Sequence, residues 1–192
     1  MTREQAFELL REFTQSESLI KHALSVEAAM RHYAPRLGGH PEQWGLVGLI
    51  HDFDYERWPD PPDHTRAGAK LLRDRGVDEE VVGAILSHAE WNQADYPLDR
   101  PLRQALFAVD ELCGFVVAVA CVRPERLAGM QPGSVRKKLK QKSFAAAVSR
   151  SDIEQGAALL GLPLDEHIAN VIAALQSVAG ELGLQAPASA SD

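Results

Sequence analysis

The residues best suited to chemistry are histidines and aspartates spread over the first 110 positions. An apolar run at 46–50 (LVGLI) ends in His51 and Asp52, which should therefore lie at the edge of the hydrophobic core. A charge there is costly to bury unless it is paired or bound to a metal ion. An isolated His-Asp pair is most often a salt bridge or a cap, so the rest of the chain must decide its meaning.

Four more candidate groups lie at the ends or on the apolar faces of predicted helices. His64 opens one helix, and His88 closes the next. His22 lies beside an apolar stripe, and Asp110 lies within a strongly apolar helix. If these faces pack together, the four groups converge with the His-Asp pair. Imidazole and carboxylate suit Fe, Mn, Co, Ni or Zn better than Ca, and the lack of thiolates excludes a structural zinc finger. We therefore predict a site for a divalent transition metal.

Apolar residues recur at helical spacing through most of the chain, and no segment is clearly a strand. The stretch 116–122 (VVAVACV) has the composition of a strand but continues a helical pattern. A capping box of Ser151 with Glu154 is predicted to begin the helix to 160. The predicted helices cover about 3–14, 17–35, 41–52, 64–75, 79–88, 101–122, a short basic helix after Pro132, 151–160 and 164–182. The predicted fold class is all-α, a compact helical bundle.

Length and composition predict one domain. The chain has 192 residues, of which 45% are hydrophobic, enough for a single core. No uninterrupted apolar run reaches ~18 residues, and the first residues do not form a signal peptide. Cys113 and Cys121 lie in an apolar helical stretch and are interpreted as reduced. We expect a cytoplasmic protein with no membrane partner.

The net charge of −7 is unevenly distributed. Seven basic residues and no acid lie between Arg126 and Ser151, which leaves 13 bases against 27 acids, or −14, elsewhere. This pattern argues against binding of extended nucleic acid and fits a local site for an anion. A solvated basic face is the alternative interpretation. The candidate ligands for substrate phosphates are Lys137, Lys138, Lys140 and Lys142.

The order of the candidate residues resembles a known family. His22, then His51-Asp52, then Asp110 within AVDEL is similar to the H…HD…D signature of the HD superfamily of metal-dependent phosphohydrolases. The resemblance covers roughly residues 16–125. It implies an HD-type helical domain over 1–184, with a core at 16–125, a C-terminal helical extension at 126–184 and a disordered tail at 185–192.

Two further histidines extend the resemblance. His64 (DHTRAGAKLL) and His88 (ILSHAEW) are similar to the extra histidines of the two-metal branch. That branch includes HD-type hydrolases of dinucleoside tetraphosphates and cyclic-dinucleotide phosphodiesterases. The lysine often found shortly after the His-Asp pair is absent, and so is the GYP signature of the cyclic-dinucleotide enzymes. His32, His40 and His167 have no matching context and are interpreted as ordinary polar residues.

The resemblance also implies a ligand set and a reaction. One metal would be held by His22, His51, Asp52 and Asp110. A second would be held by His64 and His88, with Asp52 bridging. A hydroxide formed between the ions would attack phosphorus, with Asp52, His64 and His88 as the catalytic residues. Asp54 and Glu56 could orient ligand histidines.

The implied substrate is a small phosphorylated molecule, and we expect a nucleotide. Trp58 and Trp91 follow candidate ligands and could stack a base, although anchoring of the core or a loop is the favoured interpretation. Two alternative functions stay open. One is a di-iron oxygenase of the same superfamily, and the other is a regulatory module with a vestigial site. The oligomeric state is not predicted.

Overall fold

In the computed structural model, residues 1–187 are described and fold into ten α-helices without a strand. The helices are α1 (Arg3–Phe13), α2 (Glu17–Tyr33), α3 (Pro41–Ile50), α4 (Asp63–Asp74), α5 (Glu79–His88), α6 (Pro101–Cys121), α7 (Pro132–Leu139), α8 (Arg150–Leu159), α9 (Leu164–Ser177) and α10 (Ala179–Leu182). Single 3₁₀ turns follow α2 and α5, at Ala34–Arg36 and Glu90–Asn92. The prediction of an all-α fold is confirmed.

Most predicted helix ends lie within two residues of the observed ones because caps are local signals. The capping box of Thr2 with Gln5 begins α1. The predicted box of Ser151 with Glu154 is wrong. Ser149 is the N-cap of α8, and its hydroxyl accepts from the backbone N–H of Asp152 at 3.3 Å. A contact from another helix fixes Ser149 there, since its own N–H donates to Glu111 of α6.

Two other boundaries differ from the predictions. The last predicted helix, 164–182, is divided at Val178, whose φ of −117° and ψ of 18° are not helical. The predicted helix 41–52 ends at Ile50, and a series of turns follows. The His-Asp pair therefore lies just beyond α3 instead of in its last turn.

The helices α2 and α6 form the centre of the bundle. α2 packs against α3, α6 and α9, while α6 also packs against α5, α8 and α9. One hydrophobic cluster runs from Ala6 to Leu184, so the C-terminal helices share the core of the N-terminal ones. The division into a core at 16–125 and an extension stays a prediction. Residues 188–192 of the predicted disordered tail lie outside the described residues.

By length and composition alone, α6 is apolar enough to cross a membrane. Within the fold, 61% of its apolar window is buried. The helices packed around α6 account for this burial. Its composition is therefore that of a central core helix.

We expect Gly156→Ala to destabilise the protein. A Cβ at Gly156 would lie 2.6 Å from the Cα of Ala108 in α6, so α8 and α6 would have to separate. The free energy of unfolding should fall by about 1–3 kcal/mol. A Cβ at Gly133 of α7 would have no atom of the described residues within 4 Å. Gly133→Ala is therefore the matched control and should be neutral or stabilising by up to about 1 kcal/mol. Urea denaturation measures both, and a Gly156→Ala protein of wild-type stability would contradict this packing.

His167 is buried and joins α9 to α2 and α6. Its Nε2 lies 2.9 Å from the carbonyl oxygen of Ala108, and its Nδ1 lies 2.7 Å from the hydroxyl of Tyr33. A carbonyl only accepts, so Nε2 carries the proton and the Tyr33 hydroxyl donates to Nδ1. Burial lowers the pKa of His167 below its ordinary value, and the smaller effect of the Ala108 carbonyl opposes this.

The lowered pKa of His167 predicts a pH-dependent stability. The unfolded chain takes up this proton more readily, so the folded state loses stability as the pH falls below ~6.5. His167→Gln removes the titrating group but keeps an amide that can donate to Ala108. Between pH 7 and pH 5 we expect wild type to lose about 1–2 kcal/mol more than this variant. Denaturant unfolding at each pH measures the difference, and equal losses would contradict the prediction.

Candidate metal centre

Five helices contribute to one cluster of histidine and aspartate side chains. Its members are His22 of α2, His51 and Asp52 just after α3, His64 at the start of α4, His88 at the end of α5, and Asp110 in the middle of α6. These are the six residues that the sequence predicted as ligands, and the fold brings all of them together. Their roles as metal ligands stay a prediction.

The first part of the cluster lies around Asp110. The Oδ1 of Asp110 is 3.0 Å from Nε2 of His22 and 3.3 Å from Nε2 of His51. The Oδ2 of Asp52 lies 3.6 Å from the same nitrogen of His51. The ligand atoms of His22, His51 and Asp52 are all within 4.8 Å of one another, which is close enough to share an ion.

The second part uses the other oxygen of Asp52. The Nε2 atoms of His64 and His88 lie 3.3 Å and 3.2 Å from Asp52 Oδ1. These three residues also have ligand atoms within 4.8 Å of one another. Asp52 therefore belongs to both groups, with one oxygen towards each. This is the arrangement that a carboxylate bridging two cations requires.

Hydrogen bonds at Nδ1 orient three of the imidazoles. The Nδ1 of His51 lies 2.8 Å from the Gly48 carbonyl, and the Nδ1 of His88 lies 2.6 Å from the Ile85 carbonyl. Both carbonyls only accept, so Nδ1 carries the proton and Nε2 presents a lone pair when the ring is neutral. The Nδ1 of His64 lies 3.2 Å from Oδ1 of Asp54, and this contact likewise leaves Nε2 of His64 to face the site. Such partners fix the ring orientation of metal-binding histidines.

Asp54 is itself held firmly. It is 1% exposed, and its Oδ2 accepts from the backbone N–H of Gly68 at 2.8 Å. A Cβ at Gly68 would lie 2.7 Å from that oxygen, so glycine is what allows this approach. Glu56, the other residue expected to orient a histidine, instead accepts from the backbone N–H groups of Gln15 and Ser16. It holds the start of α2.

Ion pairing shapes the protonation of the cluster. Burial acts to raise the pKa of Asp52, but the imidazoles of His51, His64 and His88 hold that pKa well below its usual range. Burial likewise acts to lower the pKa of His64, but the carboxylates of Asp52 and Asp54 raise it to about 9. Without a metal, the protonated imidazole of His64 therefore pairs with these two carboxylates. A divalent cation would replace that proton.

Two buried atoms at the centre have no hydrogen-bond partner among residues 1–187. They are Nε2 of His51 and Oδ1 of Asp52. Buried polar atoms are normally satisfied, so orphaned atoms need an explanation. Both atoms are ligand atoms that face other ligand atoms. The nitrogen and oxygen donor set therefore fits a divalent transition metal.

A cavity of about 850 Å³ opens above the cluster. Tyr55 and Trp91 both line this cavity, with ring centroids 5.1 Å and 5.9 Å from the ring of His64. Trp58, the other candidate for stacking, packs against Phe13 in the interior and does not line the cavity. Of the two tryptophans, only Trp91 is placed to meet a ligand.

The far wall of the cavity comes from α8 and the loop before it. Ala147, Val148, Ser151, Asp152 and Gln155 contribute to it. Sequence reasoning did not connect this segment with the site, because only the packing of α8 on α6 brings it there. Glu111 also lines the cavity and accepts from the N–H of Ser149 at 3.1 Å.

The cavity wall is acidic. Besides the cluster it contains Glu90, Glu111 and Asp152, and no lysine or arginine lines it in the part of the chain that the structure describes. The predicted phosphate ligands Lys137, Lys138, Lys140 and Lys142 are thus not part of the wall. Lys138 lies over the ring of Phe144, and Lys140 lines a separate groove of about 170 Å³. A phosphate-binding role for these lysines stays a prediction.

Comparison with known families agrees with this geometry. The family model described as HD domain matches residues 19–122, more than half of the 192-residue chain. The chain belongs to the HD domain family. Members of this family are mostly metal-dependent phosphohydrolases, and the matched segment contains all six residues of the cluster. No solved structure matches the chain.

We expect added Mn²⁺ or Co²⁺ to stabilise the chelator-treated protein. A metal at 100 times its Kd adds about 2.7 kcal/mol, a rise in Tm of roughly 5–10 °C for a chain of this size. Asp52→Ala removes the residue shared by both groups and should abolish most of this rise. Asp165→Ala, which only breaks an exposed pair with Arg136, should keep it. Thermal unfolding with and without metal measures the rise in Tm of each protein. An equal rise in the Asp52→Ala protein would contradict the assignment of Asp52 as a metal ligand.

Proposed function

We propose that the protein is a phosphohydrolase that uses two divalent metal ions to hydrolyse a small phosphate monoester or phosphoanhydride. The observation that carries this proposal is the position of Asp52, whose two oxygens face two separate groups of histidines beneath an open cavity. A carboxylate in this position can hold two cations at the ~3.5–4 Å spacing that two-metal phosphoryl chemistry needs. Membership of the HD domain family supports the same reaction class.

The six residues of the cluster would hold the two cations in the following way. His22, His51 and Asp110 would hold one cation, His64 and His88 the other, and Asp52 both. When bound, the cations supply an acidified water and neutralise charge on the phosphoryl oxygens. The carbonyls of Gly48 and Ile85 keep Nδ1 of His51 and His88 protonated, so that Nε2 stays directed at the site. Burial of His51 and His64 keeps bulk water from competing for the ligand positions.

The cavity wall favours a particular kind of phosphate substrate. Glu90 and Asp152 line it together with Glu111, whose pKa is raised to about 7 by burial and by Asp110. No lysine or arginine lines it among the described residues, so the bound cations would supply the positive charge for a phosphate. A single phosphoryl group on the cations meets less repulsion than a longer polyphosphate would. The exposed rings of Tyr55 and Trp91 offer stacking surfaces for a base. We therefore propose a nucleoside monophosphate or a similar aromatic phosphate ester as substrate.

Phosphate release from a panel of esters tests this function. The chelator-treated protein would be reloaded with Mn²⁺, Co²⁺, Ni²⁺, Fe²⁺ or Zn²⁺ in turn. We expect metal-dependent release, faster from nucleoside monophosphates than from the corresponding triphosphates, because of the acidic wall. Asp52→Ala should lower kcat/KM at least about 100-fold, while Asp165→Ala should leave it unchanged. A wild-type protein that binds metal and releases phosphate from no ester would overturn the proposal.

The acidic wall also favours a second candidate, a di-iron oxygenase acting on a less anionic molecule. The same six side chains would serve as its ligands. Iron-loaded protein that consumes dioxygen with a substrate, and hydrolyses no phosphate ester, would replace the first proposal by this one. Phosphate release without oxygen consumption would exclude it.

A further inference from the structure

A strained residue follows His64 directly. Thr65 has a φ of 67° and a ψ of −36°, a left-handed conformation that is an outlier for a β-branched residue. His64 is extended, with a ψ of 136°, so the start of α4 departs from helical geometry at both positions. Thr65 is fully buried. Such strain persists only where the surrounding contacts enforce it.

Asn92 provides those contacts. It is 2% exposed and lies in the turn after α5. Its Nδ2 donates to Oγ1 of Thr65 at 2.8 Å and to the carbonyl of Leu86 at 3.1 Å. Its Oδ1 accepts from Nε of Arg66 at 2.8 Å. One amide therefore joins the two residues after His64 to the last turn of α5, which ends in His88.

The Thr65 hydroxyl completes the connection. It donates to the carbonyl of His64 at 2.6 Å, so it must act as the acceptor for Asn92. Among the described residues, the Thr65 side chain therefore makes its hydrogen bonds with His64 and Asn92. If the amide were removed, Thr65 could relax towards an ordinary backbone conformation. Because the peptide bond and the hydroxyl bond both join Thr65 to His64, such a change would alter the backbone that carries the His64 ring.

We propose that Asn92 is a positioning residue for the second metal position, because it holds Thr65 in the conformation that directs His64 at Asp52 beside His88. This inference rests on the proposed two-metal function. It concerns the His64–His88 position only. The His22–His51–Asp110 position has no contact with the Asn92 network among the hydrogen bonds of the described residues.

Binding of Co²⁺ or Mn²⁺ to chelator-treated protein, measured by calorimetry, tests this inference. We expect two sites in the wild type. Asn92→Ala should weaken one site about tenfold or more and leave the other within about twofold of its original affinity. Asn92→Asp keeps the acceptor for Arg66 but loses both donated bonds. It should show the same selective loss, which keeps the test valid if the alanine variant does not fold.

A rescue experiment separates positioning from general support. Glycine adopts a φ of 67° without strain, so Thr65→Gly should restore most of the affinity that Asn92→Ala removes. If Asn92 merely supports the fold, Thr65→Gly will deepen the loss instead, and the inference is overturned. The matched control is Gln93→Ala, which breaks a bond from the same turn to the carbonyl of Ser87. It should leave both affinities within about twofold.

The two proposals fail in different ways. A wild-type protein that binds no divalent metal would overturn the proposed function and this inference together. Two wild-type sites with unchanged affinities in Asn92→Ala and Asn92→Asp would overturn the inference alone. Equal weakening of both sites would also overturn it, because the contacts of Asn92 predict a selective effect.

Discussion

The Oδ1 atom of Asp52 is buried 3.2–3.3 Å from two imidazole nitrogens and makes no hydrogen bond within the described part of the chain. An ionised oxygen in that position is unfavourable unless positive charge surrounds it. The fold supplies this charge from His51 in the turn after α3, His64 of α4 and His88 of α5. Protons can provide it in the metal-free protein, and two cations would provide it more completely. The convergence of three imidazoles on one buried carboxylate is the constraint from which the proposed chemistry follows.

Much of this arrangement was readable from the sequence. Helices can be predicted from local sequence, namely from apolar spacing and from caps such as Thr2 and Asp78. The predictions of the all-α class and of most helix boundaries were therefore correct. The candidate ligands were recognisable because they stand at helix ends or beside apolar stripes, where a charged group has a structural cost. Their order along the chain then indicated the family. The sequence did not reveal their geometry, such as which oxygen of Asp52 faces which histidine.

The features that were missed depend on contacts between distant segments. Glu111 and the start of α8 form one wall of the cavity only because α8 packs on α6 at Gly156. The strain at Thr65 is imposed by Asn92, 27 residues away. His167 carries no motif, yet it is buried between three helices. The composition of the basic segment between Arg126 and Ser151 suggested an anion site, but none of its lysines or arginines lines the cavity among the described residues.

Anomalous X-ray diffraction from crystals of the Mn²⁺-loaded protein tests the central claim most directly, because it locates bound metal without reference to any assay. We expect two peaks about 3.5–4 Å apart, with the Asp52 carboxylate between them. One should lie beside His22, His51 and Asp110 and the other beside His64 and His88. A map with no peak at the cluster would show that these residues do not hold a metal. A single ion that leaves Oδ1 of Asp52 without a ligand bond would contradict the two-metal assignment.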